Sequence, residues 1–286
     1  MHDEQPSQTA LMAAGGRAAH LLVDQEPHLF HDTVALRLLG ERGEEVVGYH
    51  RAYGDHIVLA GTRAQVTARS AYAERHLAAR IGEGVAQYVI LGAGLDTFAY
   101  RTTPAAGPAI YEVDHPATQA WKRALLAAAG LAPPPGLAFT GVDFETDDLV
   151  QRLVADGFDP GRPAVVSWLG VCMYLTREAL DATLAALGGL APGTELIAEY
   201  ALPPELRDAR GAEYAAFALP AAEERGEPWL SFFTPGELSA LLERHGLRTV
   251  EHVRQADAVD PALWARKDAL RPADLCRLVR AVVARP

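Results

Sequence analysis

Six residues, Gly92-Ala93-Gly94-Leu95-Asp96-Thr97, fix the reading of this chain. They follow directly on the apolar run Tyr88-Val89-Ile90-Leu91. Glycine at 92 and 94 removes the Cβ atoms that would keep a ligand off the backbone at the carboxyl end of a strand. Such a turn belongs to the first strand-to-helix connection of an open α/β sheet, and the rest of the chain is written accordingly.

Short β-rich runs recur downstream: QYVILG, AIYEVD, LAFTGVDF, AVVSWLG and ELIAEYA. Helix-length intervals near 117–130, 147–157 and 177–187 separate most of them, the pattern of parallel strands joined by crossover helices. The first, fourth and fifth runs are continuously apolar, as expected of strands covered on both faces. The fold class predicted is α/β, a Rossmann-like, doubly wound and mostly parallel sheet. Upstream, TALMAAGGRAAHLLVD, HDTVALRLLG and the stretch 64–81 carry helical spacing, for example Ala68, Tyr72, Arg75 and Ala79. Residues 1–84 are therefore expected as a helical cap and 85–286 as the sheet domain, with an irregular insertion at about 201–233 after strand five. Thr234, Pro235 and Glu237 then mark a helix start, close to a capping box. That helix should end near His245 and Gly246 and feed a strand LRTVEHV; the last segment, LCRLVRAVVAR, fits a strand or a helix equally.

Several function classes are excluded by bulk properties. A net charge of −11 opposes general attraction to nucleic acid or anionic lipid. Cys172 and Cys276 form no C-x-x-C pair, which excludes a disulfide framework or a cysteine-rich zinc site. His28 and His31 have metal-compatible spacing but no third ligand of recognisable spacing, so no metal is expected. The start, MHDEQPSQTA, lacks a signal peptide's basic and apolar regions, and no apolar run approaches the ~20 residues needed to cross a bilayer. The expectation is a soluble, cytoplasmic protein whose oligomeric state the sequence leaves open.

Thr97 stands where a dinucleotide-binding turn would carry its third glycine, which disfavours an NAD(P)-dependent oxidoreductase, as does the lack of a visible Tyr-x-x-x-Lys constellation. About twenty residues beyond the turn the second strand ends in Glu112-Val113-Asp114, where an acid can accept both hydroxyls of a ribose. Asp143, after the third strand, stands where an adenine amino group would be met.

QYVILGAGLDTFAYR, YEVDHP, GVDFE and SWLGVCMYL, in that order and spacing, closely resemble the leucine carboxyl methyltransferase-like family, especially its bacterial branch of O-methyltransferases. The likeness runs from about Thr9 to about Leu247, and LGAGLDT followed by YR is its most specific part. It implies a class I methyltransferase fold and S-adenosyl-L-methionine as cofactor. By the same resemblance Gly92 and Gly94 line the methionine and ribose part, and Asp96 lies next to the amino-acid ammonium. Asp114 looks like the ribose acid, and Asp143 with Phe144 like the adenine clamp. Arg69, in ARSAYAER, resembles the arginine that pairs with the cofactor's carboxylate, with Arg75 as a second candidate. Protein-methylating members carry a glutamate where this chain has Leu169, a cofactor-lining position. That departure removes support for methylation of a phosphatase C-terminus, while Gly170, Val171 and Tyr174 still fit the bacterial branch.

Methyl transfer to oxygen is a direct displacement that needs mainly alignment and exclusion of water. The function expected is O-methylation of a carboxylate or acidic hydroxyl of a small organic molecule, of natural-product type. His115, beside the cofactor edge, and Tyr174 are the candidate catalytic residues. Tyr200, Tyr214, Phe217, Trp229, Phe232 and Phe233 are expected to supply an apolar acceptor pocket. A non-catalytic cofactor-binding partner protein is the rival from a different class.

Overall fold

The five runs form the parallel part of one seven-stranded sheet in a computed structural model that describes residues 7–101 and 107–284. The acidic start at 1–6 lies outside those residues. β1 (Gln87–Leu91), β2 (Ala109–Asp114), β3 (Leu137–Gly141), β4 (Val165–Trp168) and β5 (Glu195–Ala201) are joined by β6 (Leu247–Arg254) and β7 (Cys276–Val283). Their order across the sheet is β3-β2-β1-β4-β5-β7-β6. The first five are parallel; β7 runs antiparallel to β5, and β6 antiparallel to β7. β1, β4 and β5 are buried throughout, β5 with its Glu195 and Glu199 included. The ambiguous final segment is thus an interior strand.

Alternation along each strand divides the core in two. Val89, Leu91, Val166 and Trp168 pack on one face with Leu153, Leu180, Leu184 and Leu241. Tyr88, Ile90, Val165 and Ile197 pack on the other with Ala64, Ala68, Tyr72 and Leu77. The helices on these faces are those expected at α6 (Pro116–Ala128), α7 (Leu149–Ala155), α8 (Arg177–Gly188) and α10 (Pro235–Arg244), beside the short α5 (Phe98–Arg101). The Thr234 capping box is complete, Thr234 accepting from the Glu237 N–H and Glu237 accepting from the Thr234 N–H. Residues 201–233, expected to be irregular, contain a sixteen-residue helix, α9 (Ala209–Glu224), which carries Pro220 near its end.

The N-terminal region comprises α1 (Gln8–Val23), α2 (Ala35–Leu39), α3 (Glu41–Tyr53) and α4 (Ile57–Gly82), so α4 begins seven residues before the expected Ala64, and α3 adds a helix the spacing had not marked. Their joint holds a buried polar network. Arg63 grips Asp24 with Nε (2.8 Å) and Nη2 (2.9 Å), while its Nη1 faces His50 Nδ1 at 3.1 Å. His20 Nε2 accepts from the Leu29 N–H, so its proton sits on Nδ1 and is donated to Asp24. Burial, with Arg63 alongside, pushes the His50 imidazole down to about 4; burial also lowers His20 against the pull of Asp24.

An imidazole lowered in the folded state refuses protons that the unfolded chain accepts, so its contribution to stability is present above the ordinary 6.5 and is lost as pH falls toward about 4. The thermal midpoint should therefore fall more steeply over that range in the parent than in His50→Gln. Equal slopes in the two proteins would show that His50 is not the acid-sensitive group.

Candidate active site

The glycine turn lies at the carboxyl ends of β1 and β4, the neighbours at which the strand order reverses and where open α/β sheets bind ligands. Gly92 has φ +66°, and a Cβ there would stand 2.3 Å from Val171 Cγ2. The turns after β1 and β4 therefore touch, and only a glycine lets them do so. On its other side Gly94 meets the first turn of α1, where a Cβ would lie 3.0 Å from Ala10 Cβ.

Thr97, notable in the sequence as a missing glycine, has a positive task. Its hydroxyl donates to Asp32 (2.7 Å), which also accepts from Arg17 Nε (2.8 Å), and Arg17 Nη2 donates to the Leu95 carbonyl (2.7 Å). Burial pushes the Asp32 carboxyl up, but Arg17 and Arg101 outweigh it and hold it below the ordinary value. The helical region is thereby bolted to the glycine turn.

Asp114, at the end of β2, accepts from the Gly94 N–H with one carboxylate oxygen (2.5 Å) and from the His115 N–H with the other (2.7 Å). Each oxygen keeps a lone pair for a further donor. Burial raises the carboxyl, and the two backbone donors oppose that rise. Asp96 accepts from the Phe98 N–H (2.7 Å) at the head of α5. Asp143 and Phe144 follow β3, brought alongside Asp114 by the Val142 N–H to Asp114 carbonyl bond. Asp143 accepts from the Glu145 N–H, and Phe144 packs against the core. Leu169, after β4, is half-buried against the core on the α4 side.

Arg69 projects from α4 to Gly170, where a Cβ would lie 2.6 Å from its Nη1. Nη1 donates to Glu199 of β5. Arg75 is engaged elsewhere, donating to the Ala258 carbonyl (3.1 Å) and lying over the Tyr72 ring. Tyr174, in the 3-10 turn Cys172–Tyr174, stands edge-on to Trp229, with 6.1 Å between centroids, and Trp229 leads on to Phe232. Burial pushes the Tyr174 hydroxyl up to about 12. His115 Nδ1 accepts from the Ala117 N–H (3.3 Å), capping α6. Glu112 faces Lys122 of α6 in a buried ion pair, burial pushing its carboxyl up to about 7 against the pull of Lys122.

Glu199 and the Arg17–Asp32 pair were not read from the sequence as site residues. For Glu199 a signal existed: an acid in the middle of the run ELIAEYA, which Glu195 opens, where an unpaired charge would be costly.

The model of the leucine carboxyl methyltransferase family matches residues 10–188, more than half of the chain. The chain belongs to that family.

A full-length likeness of this methyltransferase is to YktD of Bacillus subtilis (strain 168), named a candidate S-adenosyl-L-methionine-dependent methyltransferase, 32% identical with 99% of each chain aligned. A protein of Mycobacterium sp. (strain KMS), named likewise, is 34% identical over 71% of each chain. Among solved structures, a candidate methyltransferase from Thermobifida fusca YX superposes with a TM-score of 0.60 at 19% identity over 94% of both chains, a likeness of fold. The expectation of an S-adenosyl-L-methionine-dependent methyltransferase is borne out, fold class included. Among the described residues no helix is long and apolar enough to cross a membrane.

The residues fit that cofactor. Asp114 is fixed with lone pairs to spare, and Glu199 takes Nη1, one of the three nitrogens of Arg69.

Proposed function

We propose that this methyltransferase acts on oxygen, on a carboxylate or an acidic hydroxyl of a small organic molecule of natural-product type. Support comes from one observation: neither candidate catalytic side chain is set up as a base. The Tyr174 hydroxyl, raised to about 12, keeps its proton at neutral pH. His115 Nδ1 is already occupied, accepting from the Ala117 N–H as the cap of α6. A carboxylate or acidic hydroxyl arrives already ionised and needs no proton removed.

S-adenosyl-L-methionine, when bound, supplies an electrophilic methyl group. The chain's part is to hold both reactants and keep water out. Gly92, Gly94, Asp96, Asp114, Asp143, Phe144 and Leu169 would line the donor, with Arg69 toward its carboxylate; the contacts of Arg75 point to a supporting role in α4. The acceptor would sit beside Tyr174, able to donate a hydrogen bond to its anionic oxygen, and the Trp229 and Phe232 rings. That pocket joins the helical region to residues 201–233, as the Thr9 N–H to Glu227 bond (2.9 Å) supports.

With a competent acceptor and saturating donor, the rate in His115→Ala should stay nearly flat from about pH 6.5 to 8.5, the span a histidine base would control. Collapse of turnover there, with folding and cofactor affinity intact, would make His115 a general base and the acceptor an ordinary alcohol or phenol. Turnover itself separates this reading from a non-catalytic cofactor-binding module.

A further inference from the structure

Glu199 lies deep in β5, 2% exposed, and both of its carboxylate oxygens are used. Oε1 accepts from Gln65 Nε2 (2.9 Å) and Oε2 from Arg69 Nη1. Gln65 and Arg69 are one turn apart on α4, so the carboxylate is a peg on which that helix face hangs. Behind the pair is a cavity of only about 10 Å³, bounded by Cys276, Leu275 and Tyr214 among others. It has room for about one water. In front, the guanidinium lies flat on Gly170, at φ +71°, which any side chain would crowd. Peg and floor together hold Arg69 against the turn after β4.

We propose that Glu199 is a positioning residue, holding Arg69 in the orientation that receives the carboxylate of the methyl donor. The inference rests on the donor-carboxylate role proposed for Arg69. A free arginine must give up much rotamer entropy to bind a ligand, and a buried carboxylate that has already ordered it removes that cost. Glu199, 2% exposed in β5, is set back from the site and acts through Arg69.

Calorimetric titration with S-adenosylhomocysteine, with thermal midpoints recorded alongside, tests this on the parent, Arg69→Ala, Glu199→Ala, Glu199→Gln and the double variant. Glu199→Ala should weaken binding about five- to tenfold, the scale of ordering one long side chain. Glu199→Gln, which keeps hydrogen-bonding atoms for Gln65 and Arg69, should weaken it less. In an Arg69→Ala background either Glu199 substitution should cost nothing more, because a residue acting through Arg69 has nothing left to position. If Glu199→Ala does not fold, the Glu199→Gln comparison in the two backgrounds decides the matter alone. An Arg69→Ala loss accompanied by unchanged binding in folded Glu199 variants overturns the positioning role only. So does a Glu199 effect that persists in full without Arg69. Parent-like binding in folded Arg69→Ala removes the carboxylate role of Arg69, and the positioning role falls with it.

Discussion

Asp114→Ala is expected to weaken binding of S-adenosylhomocysteine by roughly 1.5–3 kcal/mol, the scale for losing charge-assisted hydrogen bonds. By the same scale that is about a tenfold to hundredfold rise in Kd. The structure adds a second loss. The Asp114 carboxylate also receives the Gly94 and His115 N–H groups, so its removal frees the glycine turn and the head of α6 together. Both N–H groups are only partly buried, so each orphan costs less than the ~1–3 kcal/mol of a fully buried one, and the thermal midpoint should fall modestly as well. Calorimetry with S-adenosylhomocysteine, and with NAD as a comparison ligand that should bind no form of the protein comparably, reads the first effect; a melt reads the second. Unchanged affinity in a folded variant would take Asp114 out of the ribose site. Unchanged affinity with a lowered midpoint would leave it the brace alone.

The largest effect on stability is expected at Glu112, beneath the same turn. Glu112 is 1% exposed and Lys122 equally buried, and one Glu112 oxygen has no hydrogen-bond partner. Glu112→Ala strands the Lys122 ammonium in the core, a change that costs about 3–5 kcal/mol in comparable buried pairs. Set against a total stability on the order of 5–15 kcal/mol, that is enough to leave much of the protein unfolded at moderate temperature. Removing both charges is a different matter. The pair's desolvation offsets most of its attraction, so Glu112→Leu with Lys122→Met should restore near-parental stability. Urea unfolding of the three proteins would decide it. A double variant as unstable as Glu112→Ala would mean that the charges are needed for more than each other.

What could be read beforehand followed from local rules. Continuous apolar runs identified β1, β4 and β5 because both of their faces are covered. The box at Thr234 was visible because a cap is built from residues three apart. β7 was ambiguous because Arg277 and Arg280 stand three apart, a helical spacing, while their guanidinium groups in fact reach Asp274 and Glu251 from within a strand. α9 was hidden by its prolines: Pro203 and Pro204 before it, and Pro220 inside, where a missing N–H ordinarily ends a helix. At the site, the glycines and the acids at strand ends were legible from spacing and resemblance. The partners that hold them, Asp32 for Thr97 and Glu199 for Arg69, are 65 and 130 residues away in the chain. No local pattern encodes such a meeting; it exists only once the sheet is assembled.

The position of β7 bears on how the protein is made. β7 is translated after β6 yet lies between β6 and β5. While residues 276–283 are still inside the ribosome, β6 has no neighbour on either side and β5 is an open edge. Bare strand edges recruit other strands, so a nascent chain paused before Cys276 is exposed to mispairing with its neighbours on the same message. Slow codons or a stall in that interval would lower the yield of active protein without changing a single residue.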